Sequence, residues 1–258
     1  MLGQRISTFF QERDWFAVWL EIFVVFLGVF IGLQANNWNE ARIARATANT
    51  HYARLIEDFH AEERTRLARI AYLQRTKLHG EAALRTLEQP ESAPGAEFLI
   101  DIYQTTQIWY FNVNRTTYDE LLSGNIANAI PDFGLRTRLA NFYLGLETGT
   151  TLQRETTPLR NNLRRYMPHA VQSAVREACG DQIEFLADHI LLMSLPEKCE
   201  VELDSQAISD AIVALRSYVD LKADLTRHLA DLEAKLWSLS APLPQLRETR
   251  DYLEEIIR

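Results

Sequence analysis

The residues best suited to chemistry in this chain are a glutamate, a histidine and a second glutamate at three-residue intervals, Glu57, His60 and Glu63. On a helix this spacing places the side chains near one face, and the first pair resembles half of a carboxylate di-metal site. The other half requires a second Glu-x-x-His pair, which none of the six histidines provides. The pattern therefore favours a solvated helix face, and we predict no metal site.

Other catalytic patterns are weaker. The sequence contains no phosphate-binding loop, dinucleotide-binding glycine run, nucleophile elbow or paired zinc spacing. Asp224 and His228 lie four residues apart, and this spacing favours an ordinary pair on a helix surface. We therefore predict a protein that is not an enzyme and needs no cofactor. An enzyme of unknown chemistry is the third hypothesis for its function.

Glu21 is different because it lies within a strongly apolar run. An acidic side chain in a lipid-spanning helix costs about 2.5 to 3.5 kcal/mol at the centre and usually marks a function or a partner. The alternative is an acid that reaches the membrane interface, since Glu21 lies six residues beyond Trp15. Steps of four and three residues place it on one helical stripe of six residues: Glu21, Val25, Gly28, Gly32, Ala35 and Asn39.

This stripe predicts a contact between transmembrane helices. Small residues allow two helix backbones to approach closely, and a polar side chain on the same face finds its partner across the contact. The leading hypothesis is a membrane-anchored interaction or scaffold protein that self-associates or binds another membrane protein through the stripe. The alternative is an oligomeric ion or proton pathway in which a ring of Glu21 side chains sets cation preference.

The stripe belongs to an apolar run at residues 15–35, whose only strongly polar members are Glu21 and Gln34. At ~1.5 Å rise per residue the run matches the ~30 Å hydrocarbon core of a bilayer, so we predict a transmembrane helix. A cleaved signal peptide is the main alternative, disfavoured by the length of the run, by Glu21 and by the poor cleavage site. Tryptophans suited to the headgroup levels lie at the two ends of the run, with Trp15 and Trp19 at one end and Trp38 at the other.

Residues 1–14 precede this run and carry apolar side chains at helical spacing among charged ones. They predict either a short cytoplasmic segment on the membrane interface or a frayed tail. Basic residues nearly balance on the two sides of the run, so the positive-inside rule barely discriminates between the two orientations.

The two cysteines, Cys179 and Cys199, each lie beside a turn signal. An even pair that bounds a short segment indicates a disulfide in an oxidising compartment, worth about 3 kcal/mol through closure of a loop of roughly 20 residues. Two unrelated buried thiols are the alternative if the domain is not periplasmic.

Two segments resemble a family of uncharacterised bacterial single-pass membrane proteins. One contains Glu21-Ile22, Val25, Gly28 and QANNWNE at 34–40, similar to the family's EIxxVxIGIxxAxQxNNWNE motif, and the other runs from Thr117 to Tyr143. The resemblance implies an inner-membrane anchor with a cytoplasmic N-terminus and a periplasmic domain. It implies no activity, because the family is itself a domain of unknown function. This chain departs from it in a weakly basic tail and in Gly32, where Ala is usual.

Beyond the run, residues 36–89 contain no proline and repeat apolar residues at helical spacing, which predicts a stalk helix continuous with the span. Proline and glycine at 90–95 predict a linker. The remaining residues, 96–258, predict a periplasmic helical domain, so the fold class is all-α with an antiparallel bundle. No strand is predicted. The expected helices are 98–109, one from Thr116, one from Pro131, 181–195, 204–239 and a closing helix to Ile257.

Local signals within this domain predict where helices begin and end. Thr117 and Glu120 have the spacing of a capping box, and Gly124 has the character of a C-cap. Asp204 or Ser205 is expected to cap the long helix.

The formal net charge of −8 is concentrated late in the chain, because residues 181–258 carry 8 basic and 16 acidic side chains. An acidic domain without a basic stripe repels phosphate backbones, so we predict no nucleic-acid partner. The predicted partners are the lipid bilayer and either a second copy of the chain or another membrane protein.

Overall fold

The computed structural model describes residues 15–89, 93–110, 113–123, 130, 132–186 and 190–258. The predicted interfacial segment 1–14 and the predicted helix boundaries at Gly124 and Pro131 lie outside these residues. Helices dominate, which confirms the all-α fold class. In chain order the elements are α1 (Trp15–Glu88), α2 (Ala96–Gln104), α3 (Thr116–Ser123), α4 (Phe133–Arg154), α5 (Pro158–Tyr166), α6 (His169–Cys179), β1 (Gln182–Phe185), β2 (Leu191–Ser194), α7 (Ser205–Arg216), α8 (Leu221–Ser240) and α9 (Leu243–Ile257).

The helix α1 is unbroken over 74 residues, a length of about 110 Å at the usual rise per residue. No proline interrupts it, and it ends two residues before Pro90, where the sequence predicts its end. Every residue from Trp19 to Thr47 is exposed, whereas Ala48 is buried. The helix therefore leaves its N-terminal part uncovered and enters the globular domain at Ala48.

The predicted stalk, residues 36–89, divides at this point. Only residues 36–47 stand clear of the domain. From Ala48 onward apolar side chains recur every three or four residues, and α2, α3, α8 and α9 pack against them. The greater part of the predicted stalk is thus the central helix of the domain.

Two hydrophobic clusters form the core, and α1 contributes to both. The span-proximal cluster surrounds Tyr52, Leu55 and Phe59 with side chains from α3, α4 and α9. The span-distal cluster surrounds Tyr72 and Ala83 with side chains from α2 and α5 to α8. Between the clusters the buried α1 side chains are the polar ones of Arg66 and Arg69.

The predicted helix at 181–195 is wrong. Strands β1 and β2 instead form an antiparallel hairpin in which Ile183 pairs with Met193 and Phe185 with Leu191. Four-residue strands give too few residues for an alternating pattern to stand out, and three of the four residues of β2, Leu191, Leu192 and Met193, form a continuous apolar run. β2 packs against α1, so a tertiary contact supports the hairpin.

The predicted helix at 204–239 is two helices, α7 and α8, with a turn between them. The N–H groups of Ser217 and Tyr218 donate to carbonyls three residues earlier, at Ala214 and Leu215, and the turn ends α7. The turn resets the helical phase, so that Leu215 and Leu221 both reach the span-distal cluster. No glycine or proline signals this break, so the sequence pattern misses it.

One of the capping predictions is confirmed and another is wrong. Asp204 Oδ1 accepts a hydrogen bond from Ala207 N at 2.7 Å, which confirms Asp204 as the N-cap of α7. The capping box of Thr117 is wrong, because Thr117 lies buried inside α3. Asn114 Oδ1 instead accepts from the N–H of Thr116 at 3.2 Å.

Gly80 marks the closest approach of α1 to its neighbours. A Cβ added there would lie 2.5 Å from Thr105 Oγ1 and 2.8 Å from Leu229 Cδ2. Both side chains are buried, so neither has free space to move into.

We therefore expect Gly80→Ala to lower the free energy of unfolding by about 1 to 2 kcal/mol. The overpacking cost of about 1 to 3 kcal/mol exceeds the gain in helix propensity of about 1 kcal/mol. Urea denaturation of the detergent-solubilised protein measures this change in the free energy of unfolding. Gly149→Ala is the control, because its Cβ meets nothing within 4 Å and only the gain remains. A Gly80→Ala variant as stable as Gly149→Ala would contradict the close packing.

Candidate functional site: the open face of α1

The N-terminal part of α1 is long and apolar enough to cross a membrane, and it is the one such helix among the described residues. None of its most apolar stretch is buried by the rest of the protein. A soluble monomer rarely exposes so large a continuous apolar surface. The length, composition and exposure of this helix are a sign of a single membrane span.

All six stripe residues are exposed on α1. Steps of four and three residues keep them within about 40° of one line along the helix. Gly28 and Gly32 leave the backbone bare, since a Cβ added at either meets nothing within 4 Å. Glu21 and Asn39 are the polar members of the stripe. The structure thus aligns the predicted residues and leaves them uncovered by the chain's own domain.

The opposite side of the same segment is bulky. Trp19 and Phe23 stack with ring centroids 5.3 Å apart, and Phe26 and Phe30 stack at 6.3 Å. These i, i+4 pairs form an aromatic ridge on the far side of the helix from the stripe. The apolar run therefore has one face that carries the small residues of the stripe and an opposite face that carries bulky aromatic rings.

Polar side-chain contacts begin on α1 just after the apolar run ends. Asn36 Nδ2 donates to Glu40 Oε1 at 2.7 Å, and Arg42 donates to Asn39 Oδ1 at 3.2 Å. The Arg42 guanidinium also lies 5.8 Å from the ring centroid of Trp38. Trp15 and Trp38, at the two ends of the run, are both exposed. The side chains at each end thus suit a membrane–water interface.

The exposed face continues past the apolar run. Five further α1 residues follow the stripe at the same spacing and are exposed: Ile43, Ala46, Thr50, Ala53 and Glu57. The buried residues Ala48, Tyr52, Leu55 and Phe59 lie on the other side of the helix, in line with the aromatic ridge. We call the continuous exposed surface from Glu21 to Glu57 the open face. The domain packs on the opposite side and leaves it accessible.

Ion pairs flank the open face where it passes the domain. On one side Arg54 Nη1 lies 2.6 Å from Glu120 Oε2 of α3. On the other side Glu63 accepts from Arg247 at 2.6 Å and from Arg250 at 2.5 Å, both on α9. Burial tends to raise the pKa of Glu63, but the two guanidinium groups hold it below its usual range.

The first candidate for chemistry is accounted for by these pairs. Glu57 is exposed, His60 Nε2 lies 3.5 Å from Glu254, and Glu63 binds arginines. Within the described parts of the chain no group of three or more His, Cys, Asp or Glu side chains is arranged to hold a metal ion.

The predicted surface pair of Asp224 and His228 is wrong. His228 is buried, with Nδ1 2.7 Å from Thr157 Oγ1 and Nε2 2.6 Å from the carbonyl oxygen of Thr105. Burial lowers the pKa of this imidazole. Asp224 instead accepts a hydrogen bond from the Tyr218 hydroxyl. The four-residue spacing alone did not reveal that α8 turns His228 inward, toward the end of α2 and the start of α5.

Cys179 and Cys199 form the predicted disulfide. It joins the buried end of α6 to the segment that follows β2, so the closed loop contains the whole hairpin. Gln104 Nε2 of α2 donates to the carbonyl oxygen of Cys179 at 2.5 Å. The disulfide therefore anchors the hairpin to the span-distal cluster, and its presence fits an oxidising compartment.

Comparisons with protein-family models, with curated proteins and with solved structures find no match to this chain.

Replacing both Cys179 and Cys199 with alanine should lower the free energy of unfolding by about 3 kcal/mol, because the loop between positions 20 residues apart is no longer closed. Urea denaturation measures the loss, and reduced, alkylated wild-type protein should show a similar one. Mass measurement after alkylation without reductant provides the direct check. Two alkylated cysteines in protein from an oxidising compartment would contradict the disulfide.

Proposed function

We propose that this chain is a membrane-anchored interaction protein that self-associates through the open face of α1. The span 15–35 lies in a bacterial inner membrane with residues 1–14 in the cytoplasm. The domain that begins at Ala48 lies in the periplasm and is presented there to partners. The observation that supports this most is the position of the domain, which packs on one side of α1 and leaves the open face continuous from membrane to domain.

The chemistry of the open face supports a helical partner. In lipid the hydrophobic effect does not drive helices together, so association depends on close packing and on interhelical hydrogen bonds of ~0.6 to 2 kcal/mol. Gly28 and Gly32 permit the close packing. Glu21 on the same face offers a hydrogen-bonding group that lipid does not satisfy. A second copy of α1 supplies both a flat surface and a polar partner at the same depth.

The proposed topology has two supports. The disulfide fits an oxidising compartment, and the periplasm is one. The resemblance of Glu21 to Glu40 and of Thr117 to Tyr143 to a bacterial family implies the same orientation. Because α1 continues from the span into the domain without a break, the domain is expected on the side of the membrane that the C-terminal end of the span reaches.

A second candidate is an ion or proton pathway, favoured by the place of Glu21 on the open face. An assembly of several copies would bring the Glu21 carboxylates together at its centre, whereas a dimer encloses no pore. The size of the assembly therefore separates this candidate from a simple interaction protein.

Gly28→Ile together with Gly32→Ile should reduce the wild-type assembly to a monomer. The added side chains keep the segment apolar but push neighbouring backbones apart. We expect them to leave the chain's own packing intact, because a Cβ added at either position meets nothing within 4 Å. The particle mass in mild detergent, corrected for bound detergent, measures the effect.

Phe26→Leu, on the aromatic ridge, is the control and should leave the mass unchanged. A double variant with the wild-type mass would show that the open face is not the interface, and the loss of a co-purifying protein would assign the face to a different partner. A single cysteine at Ala46 should link two copies, whereas one at Arg45, off the open face, should not. This comparison is clean because both native cysteines are already paired.

A periplasmic reporter enzyme fused after Arg258 should be active in bacteria, and a cytoplasmic one should be silent. In the proposed topology the span ends near residue 35, and α1 continues from it into the domain without a break. Reporter activity in colonies expressing each fusion is the measurement, with protein amounts matched by immunoblot. The opposite pattern would overturn the periplasmic location of the domain.

A further inference from the structure

The hairpin of β1 and β2 leaves one sheet edge open. β2 packs against α1, and β1 pairs with no strand other than β2 in the part of the chain that the structure describes. Leu186 N donates to the carbonyl oxygen of Ile190 and extends the ladder by one hydrogen-bonded pair. Hydrogen-bonded and non-hydrogen-bonded pairs alternate along an antiparallel ladder. The register therefore directs the backbone groups of Ile183 and Phe185 away from β2.

The outward amide and carbonyl groups of Ile183 and Phe185 are available to another chain. No backbone hydrogen bond reaches them from the rest of the described chain. Edge strands are commonly protected by proline, lysine or a bulge, and β1, with the sequence Gln-Ile-Glu-Phe and a regular register, has none of these. An unprotected edge is a template for the addition of a further strand.

One face of the hairpin beside this edge is apolar. Ile183 and Phe185 lie on the same face as their directly opposite partners, Met193 and Leu191. The relative exposures of Ile183 and Phe185 are 57% and 71%, and Leu191 is also exposed. Met193 alone of the four packs against the span-distal cluster. A strand added to β1 would cover the exposed members through cross-strand contacts.

A cleft of about 590 Å³ lies between the hairpin and α1. Its α1 wall includes Ala68 and Ala71, whose small side chains leave room, and Ile183 lies on the hairpin wall. Arg75 Nη2 and Glu197 Oε1 lie 3.4 Å apart at the same cleft. The cleft therefore provides space next to β1 for side chains of an added strand.

The charge of this region indicates which kind of strand would bind. Residues 181–204 carry seven acidic side chains and one lysine. Glu184, in the middle of β1, is exposed, as are Glu200 and Glu202. If two copies paired antiparallel through their β1 edges, Glu184 would lie directly opposite its own counterpart, and like charges in that position are destabilising. A basic strand would instead place an opposite charge beside Glu184.

We propose that the outer edge of β1 binds an extended, basic segment of a partner protein by strand addition. Main-chain hydrogen bonds to Ile183 and Phe185 hold the segment. Its apolar side chains lie beside those of Ile183 and Phe185, and its basic side chains lie beside Glu184, so the recognised segment alternates apolar and basic residues. The site is separate from the open face, and the proposal does not require self-association.

Fluorescence anisotropy of a labelled heptapeptide of alternating lysine and valine tests the proposal, with the full chain in nonionic detergent. We expect saturable binding that weakens as salt is added. A peptide of the same composition, with its lysines and valines in two separate blocks, should bind about tenfold more weakly, because it cannot match both faces of β1. Absence of binding by the alternating peptide, or equal binding of the two peptides, would overturn the proposal.

Two variants locate the binding site. Ile183→Pro removes an outward N–H but no hydrogen bond to β2, so it should weaken binding about tenfold or more. Glu184→Lys should weaken binding roughly fivefold to tenfold. The control is Glu248→Lys, the same charge change at an exposed position on α9, and it should keep the wild-type affinity.

If Ile183→Pro fails to fold, Glu184→Lys decides the question, because this exposed side chain has no part in the core. Wild-type affinity in Glu184→Lys would place the peptide elsewhere and overturn the proposal. A lower particle mass of Ile183→Pro in detergent, together with no peptide binding by the wild type, would also overturn it and would assign the edge to a second copy.

Discussion

Burial of one face of α1 from Ala48 onward is the interaction on which the rest of the structure depends. Both hydrophobic clusters contain α1 side chains, from Tyr52 in the span-proximal cluster to Ala83 in the span-distal one. The remaining helices bury their apolar faces against this helix and against each other. The domain therefore has no core that is complete without α1. The apolar run and the centre of the domain are parts of one helix.

This arrangement decides which surface remains for a partner. A helix covered on all sides would leave only the membrane segment available for contact. The domain packs on the face of α1 that carries Tyr52 and Phe59. The opposite face, which carries Ala46 and Ala53, therefore stays exposed. The open face runs from the apolar run to the domain without a change of side, so the domain does not obstruct a helix that packs along it.

The polar layer around Arg66 and Arg69 gives the domain specificity that apolar packing alone does not. Arg66 Nη1 donates to the carbonyl oxygen of Leu239 at 3.0 Å, and Gln153 Nε2 donates to that of Lys235 at 3.0 Å. These bonds favour one register of α8 along α1 and α4, because a shift of one helical turn would leave buried polar groups unpaired. Hydrophobic clusters alone, without this polar layer, would discriminate less between registers of α8 against α1.

The sequence by itself determined the features that depend on local composition: the apolar run at 15–35, the uninterrupted α1, the cap at Asp204 and the all-α fold class. Each follows from side chains that act on their own neighbours or on solvent. Only the tertiary structure decided that the predicted stalk is the domain's central helix, that 181–195 is a hairpin, that a turn at Ser217 splits α7 from α8 and that His228 is buried. These depend on which elements meet, and periodicity shows that a face is apolar without showing what covers it. The pairing of Cys179 with Cys199 lies between the two, because two cysteines allow one pairing but only the fold brings them together.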